Sequence, residues 1–140
     1  MIASEDAAFA LPEPLVGAAA LGGGIFQLCR KLPYAIAMNL LMTCDRLSAV
    51  DAYRYGLVNQ VAPAGEVLTA AKALAARIMR CAPVAVQATK QMAALALRSA
   101  PPDEAAREEV IARTRVMSSE DFKEGMTAFM ERRKPVWLGR

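Results

Sequence analysis

The stretch from Phe9 to Gly24, FALPEPLVGAAALGGG, constrains this chain more than any other. Glu13 stands between Pro12 and Pro14, a run of small apolar residues follows, and three consecutive glycines lead into a helical pattern. Each proline fixes its own φ and restricts the residue before it, so the Glu13 backbone is expected to be extended rather than helical. Phe9, Leu11, Leu15 and Val16 surround the carboxyl in sequence. A partly dry setting of that kind raises a carboxylate pKa and suits it to general acid or base work near neutral pH. Glycines 22 to 24 permit close approach of the backbone and can open a helix whose free N–H groups face the same spot. The bland alternative is an exposed glutamate in a turn beside a glycine loop that only packs.

The rest reads as amphipathic helix. Residues 1 to 10 form a short extended lead-in. Ile25 to Lys31 makes a short helix broken by Pro33, and Tyr34 to Thr43 a second one, dense in Ile36, Met38, Leu40 and Leu41. Ser48 to Asp51 resembles a capping box, and Gly56 is a natural stop. Leu57 to Val61 alternates weakly as a small strand ended by Pro63. From Glu66 to Arg80 the residues Val67, Ala71, Leu74 and Ile78 recur at helical spacing. Pro83 starts the next helix, where Val84, Ala88, Met92 and Leu95 share a face. After Pro101-Pro102 a charged helix spans about Asp103 to Met117, with Val110 and Ile111 as its large apolar anchors. Ser118 or Ser119 caps the last helix, with Glu120 and Asp121 in its first turn. Phe122, Met126 and Phe129 fall on one face, expected to be core, and Arg132, Arg133 and Lys134 close the helix before Pro135.

Composition bounds the function. At 140 residues the length suits one domain with a real core, and a richness in alanine and methionine with only 6% aromatics favours helix over sheet. The formal charge of +3 is spread among acids, which argues against a nucleic-acid footprint. No apolar run is long enough for a membrane span, and the acidic N-terminal stretch does not read as a signal or transit peptide. With no histidine, His-based triads and His metal sites are excluded. Cys29, Cys44 and Cys81 lack metal-ligand spacing, so no metal site is expected; they read as reduced, buried thiols in a cytoplasmic setting.

The order Phe9, Pro12, Glu13, Gly17, Gly23, Gly24, Leu28 and Arg30 resembles the central signature of the enoyl-CoA hydratase/isomerase (crotonase) family. AMNLLMTCDRLSAVDAYRYGLVNQVAP is similar to that family's helix–loop–helix–strand segment, and EDFKEGMTAFMERRKPVW to its closing helix. LPEPLVGAAALGGG with the later LPYAIAM is nearest to a subgroup containing crotonobetainyl-CoA hydratase-like enzymes. Members run substantially longer, and the resemblance begins in their interior. The expected fold is therefore mostly α with one or two short strands, the C-terminal half of a crotonase-type spiral β/α fold plus a helical oligomerisation region. The division implied is 1–61, the rear of the core with the Pro-Glu motif, and 62–140, the oligomerisation and CoA-cleft region.

The resemblance implies hydration of the α,β double bond of an acyl-CoA thioester, with no cofactor beyond the coenzyme A of the substrate. Enoyl-CoA isomerase, carnitinyl-CoA dehydratase and a non-catalytic oligomerisation remnant are the alternatives. Glu13 aligns with one of two catalytic glutamates, the one that exchanges a proton at the α-carbon. The other glutamate and an oxyanion donor lie upstream in the family, so the 140 residues alone are expected to be incompetent. Leu21 and Gly22 match the loop whose backbone N–H helps hold the catalytic water. Phe129 and Arg132 match residues lining the CoA cleft, Arg132 standing where lysine is more usual. Arginine keeps the charge and grips phosphate bidentately; otherwise the basic run only complements a helix C-terminus. The implied assembly is a homo-oligomer, a trimer or hexamer, with neither nucleic acid nor membrane as a partner.

Overall fold

The computed structural model describes residues 1–97 and 101–140, and its contacts divide into two units, Met1–Ala73 and Leu74–Arg140. Among the described residues helix dominates, with four strands of two or three residues each.

In the first unit, β1 (Ile2–Ser4) pairs in parallel with β4 (Gln60–Ala62), Ala3 opposite Val61. Strand β2 (Ala8–Phe9) pairs antiparallel with β3 (Leu47–Ser48). Helices α1 (Gly24–Lys31) and α2 (Tyr34–Thr43) run between β2 and β3, and α3 (Ala49–Arg54) between β3 and β4. Leu32 before Pro33 is extended at φ −107°, ψ 153°, as proline demands of its predecessor, and the break separates α1 from α2. The core gathers Leu32, Ala37, Leu40, Leu47, Ala49, Ala52, Leu57 and Val58. Ala37, Ala49 and Ala52 are fully covered; the small side chains of Ala49 and Ala52 let α3 press close to the strands, while α2 packs beside α1. Burial of each leucine contributes about 1.5–3 kcal/mol.

Ser48 caps α3: its Oγ accepts from the Asp51 N–H at 3.1 Å and donates to Asp51 Oδ2 at 2.8 Å. Gly56, at φ 81°, turns the chain out of that helix. The strand expected over Leu57 to Val61 lies later, at Gln60–Ala62. Leu57 and Val58 donate their N–H groups to the Ala52 carbonyl and turn inward as core, so pairing begins only where β1 is in register.

Helix α4 (Val67–Ile78) begins in the first unit and ends in the second. The second unit continues with α5 (Pro83–Leu97), α6 (Pro102–Ser118) and α7 (Glu120–Met130). Helix α5 buries Val84, Ala88 and Leu95. On α6 the anchor is Ala112, whereas Val110 and Ile111 are more than half exposed. The small side chain allows α5 and α6 to approach, where Gln91 donates to Glu108 and Arg115 to Gln87. The large residues that periodicity nominated lie off that seam.

Helix α7 also turns a different face inward. Phe122, Met126 and Phe129 are exposed, and the buried positions are Asp121 and Ala128. The cause is the segment after the helix, which runs back along this face. Asp121 Oδ1 accepts from the N–H groups of Leu138 at 2.7 Å and Gly139 at 3.1 Å, and Glu124 accepts from the Val136 N–H at 2.7 Å. Trp137 donates Nε1–H to the Arg80 carbonyl at 3.0 Å and lays its ring beside Gly125. Of the cysteines only Cys44 is buried; Cys29 is half-buried and Cys81 exposed, so the expectation of three buried thiols holds for one.

Candidate active site

Glu13 opens a 3-10 turn, Glu13–Val16, not an extended segment. Pro14 falls in the first turn, where its missing N–H costs no hydrogen bond. The turn is closed by Leu15 N–H to Pro12 O at 3.0 Å, Gly17 N–H to Pro14 O at 3.2 Å and Ala18 N–H to Glu13 O at 3.0 Å. Gly17 supplies the left-handed residue, φ 75°, that ends it. A single helical turn satisfies both prolines because neither N–H is required.

The carboxyl of Glu13 is half-buried, and its Oε2 is sealed from solvent with no hydrogen-bond partner among the described residues. Leu15 and Val16 do not provide the cover expected of them, being 73% and 82% exposed. An orphaned carboxylate oxygen is costly in a folded chain, and such groups are retained where they serve a purpose beyond packing.

Beyond the turn, Leu21 and Gly22 are both exposed. The Leu21 N–H donates to Ala19 O at 2.7 Å, within the loop itself. Gly23, at φ 96°, is the N-cap of α1, which leaves the N–H groups of that helix's first turn without intrahelical acceptors. Gly24 is the point at which the loop closes. A Cβ there would stand 3.1 Å from both methyl carbons of Leu11 and 3.8 Å from Ala20 Cβ. Phe9, Leu11, Gly24, Gln27, Leu28 and Lys31 line part of an adjoining apolar cleft of about 410 Å³. One loop thus carries Glu13, Leu21 and Gly22.

Phe129 and Arg132 belong to the second unit. Phe129 is 81% exposed on α7, not core. Arg132 takes a left-handed conformation, φ 53°, and its N–H donates to the Phe129 carbonyl at 3.2 Å. Arg132 makes no ion pair among the described residues, whereas Arg133 is held by Glu124 at 2.5 Å and Glu131 at 2.6 Å. The basic run therefore leaves Arg132 available to an anion and commits Arg133 to the fold. Sequence reasoning read Asp121 only as a first-turn acid and Leu11 only as an apolar neighbour of Glu13; their partners, Leu138 and Gly139 for the one and Gly24 for the other, are visible only in the fold. Among the described residues no cluster of three or more His, Cys, Asp or Glu side chains could hold a metal ion, and no helix is long and apolar enough to cross a membrane.

Comparison with known proteins adds the following. The family described as enoyl-CoA hydratase/isomerase matches the chain over residues 1–140. Carnitinyl-CoA dehydratase from Proteus mirabilis (strain HI4320) is 40% identical over 143 residues, covering 100% of this chain and 55% of that protein. The crystal structure of enoyl-CoA hydratase from Mycobacterium tuberculosis H37Rv superimposes with a TM-score of 0.93 at 44% identity, covering 99% of this chain and 55% of that one. Enoyl-CoA hydratase EchA1 from Mycobacterium marinum gives a TM-score of 0.94 at 41% identity, covering 99% and 57%. The chain spans about half the length of the relatives it matches.

Proposed function

Because this chain belongs to the enoyl-CoA hydratase/isomerase family, we propose that its Glu13 carboxyl exchanges the α-carbon proton when water is added to, or removed from, an acyl-CoA thioester. The observation that carries the reading is the Glu13 Oε2 atom, shielded from solvent and unclaimed by any donor among the described residues, at the position of the Pro-Glu signature. A carboxylate with no protein partner is available to a proton on carbon, and a positioned general acid or base contributes on the order of 10²–10⁴ in rate. Hydration requires Glu13 protonated as the acid; dehydration requires it ionised as the base. One residue serves both directions, so hydratase and dehydratase are the same proton transfer run forward and backward.

The likeness to carnitinyl-CoA dehydratase favours a short acyl chain bearing a β-hydroxyl group. Leu21, exposed beside Gly22, is proposed to meet the acyl group. Phe129 and the unpaired Arg132 are proposed to meet coenzyme A, the guanidinium gripping phosphate. Coenzyme A enters as part of the substrate, and the reading calls for no further cofactor. The helical second unit is proposed to assemble copies into a trimer or hexamer, and a cytoplasmic location suits three unpaired thiols.

A second glutamate and an oxyanion donor, required on this reading, lie in the part of the family that the 140 residues do not span. Loss of one oxyanion donor costs about 10²–10³ in rate, so the 140-residue chain by itself should be inactive. The test joins this chain to the remaining part of the Proteus mirabilis relative and follows both hydration of the enoyl thioester and α-proton exchange in D₂O. Glu13→Gln should lower both by about 10²-fold or more. Equal rates for the two proteins would overturn the assignment. Inactivity of the joined protein in sedimenting oligomers would favour the non-catalytic module.

A further inference from the structure

We infer that Leu11 is the positioning residue for Glu13: seated against Gly24 beside Ala20, its side chain fixes the turn that carries the carboxyl. The inference rests on the role proposed for Glu13 and adds to it the residue that sets where the carboxyl stands.

Among the residues from Leu11 to Lys31, Ala20 alone is buried. The turn after Glu13 is held together by its own backbone hydrogen bonds, but Leu15, Val16, Gly17, Ala18 and Ala19 are all exposed. They cannot orient it against the rest of the unit. Anchorage comes from the two ends of the loop, Leu11 on one side and Ala20 on the other, which converge on Gly24. The missing Cβ of Gly24 is the space in which the Leu11 methyl groups lie, at 3.1 Å from where that atom would be. Optimal carbon contacts are about 3.5–4.0 Å, so a methyl group at position 24 must displace Leu11 by several tenths of an ångström or rotate it.

A shift of the Leu11 backbone, as distinct from a rotation of its side chain alone, is passed on toward Glu13. Only Pro12 separates the two residues, and its ring removes one of the soft torsions that could absorb the shift. Pro12 is also tied to the turn through its carbonyl, which accepts from Leu15 N–H at 3.0 Å. The link from Leu11 to Glu13 is short, and the turn it enters is closed by its own backbone hydrogen bonds. The glycine at 24 is thus a space reserved for Leu11 as well as the first residue of α1.

The test uses the 140-residue chain labelled with ¹³C at the glutamate carboxyls, the Glu13 signal being identified by its absence in Glu13→Gln. Gly24→Ala is expected to move the Glu13 carboxyl resonance by more than its linewidth, while the methyl resonances of Leu40 and Leu57 in the core stay in place. The size-swapped pair Leu11→Val with Gly24→Ala should return the Glu13 resonance to its original position, a rescue that a general loss of structure would not produce. If Gly24→Ala does not fold, Leu11→Val alone supplies the reading: it shortens the anchor and should move the Glu13 signal in a folded core. The inference is overturned if Leu11 methyl signals move and Glu13 does not, or if the swapped pair fails to restore it. Because the signal is read without turnover, a negative result here leaves the acid–base assignment standing. Unaltered rates in the Glu13→Gln joined protein would leave this coupling standing.

Discussion

Removal of the Asp121 carboxylate should release the segment that runs back along α7. The side chain is 1% exposed and receives the N–H groups of Leu138 at 2.7 Å and Gly139 at 3.1 Å. Hydrogen bonds to a charged acceptor contribute about 1.5–3 kcal/mol each. Leu138 and Gly139 are exposed, so water recovers part of each bond once the acceptor is gone. Asp121→Ala should therefore cost about 2–3 kcal/mol in the second unit. Asp121→Asn keeps one acceptor oxygen and loses the favourable charge at the α7 N-terminus, and should cost about 1 kcal/mol. Trp137 is the only tryptophan and sits within the segment, so its emission reports the loss directly. With a urea slope of about 1 kcal/mol per molar for a unit this small, the alanine variant should unfold about 2 M earlier. A midpoint within about 0.3 M of the parent, with unchanged emission, would show that the backbone contacts of Arg140 with Glu120 and Asp121 suffice, and would refute the reasoning.

Three further outcomes are expected. Glu124 is drawn down from 4.5 to about 2, first by the Arg133 hydrogen bond and then by the Val136 N–H. Its folded pKa lies below its unfolded value, so its contribution is complete above about 4.5 and fades as the pH falls toward 2; Trp137 emission at pH 3 should stay native in the parent and shift in Glu124→Gln. Ser48→Ala removes the cap of α3 and should cost about 1 kcal/mol, measured by far-ultraviolet circular dichroism during denaturation of the chain; no change would mean that the Asp51 side chain replaces the cap. Gly125→Ala places a methyl group 3.4 Å from the Trp137 ring, an ordinary contact, and gains helix propensity, so the melting temperature should rise by the equivalent of about 0.5–1 kcal/mol. A fall would show that the ring cannot yield.

What the sequence disclosed depended on whether the governing interaction was local. Helix α2 begins and ends at Tyr34 and Thr43, as read from Pro33 and the apolar run, because a proline break and a left-handed end at Cys44 act within a few residues. The Ser48 cap and the Gly56 stop were legible for the same reason. Periodicity identified a face on α7 but not its covering, since the partner is the segment at Val136 to Gly139, and hydrogen bonds to Asp121 select a polar side of the helix over the one bearing Phe129. At Glu13 two proline preferences for extended backbone were read without the 3-10 alternative, in which a missing N–H in the first turn is harmless. The signature residues themselves, Pro12, Glu13, Gly23 and Gly24, were visible at once, whereas the contact between Leu11 and Gly24 could not be, because nothing in the spelling of the chain says which side chain a glycine makes room for.

The pairing of β1 with β4 has a consequence for biosynthesis. The backbone carbonyl of Met1 accepts from the Asn59 N–H, 58 residues later, and no nearer strand offers β1 a partner among the described residues. At elongation rates of roughly 5–20 residues per second, about 3–12 s separate the synthesis of β1 from that of β4. Closing so long a loop also makes this contact one of the slower steps of the unit. The α1–α2 hairpin is synthesised within that interval, so both helices precede the strand that β1 pairs with, complete only at Ala62.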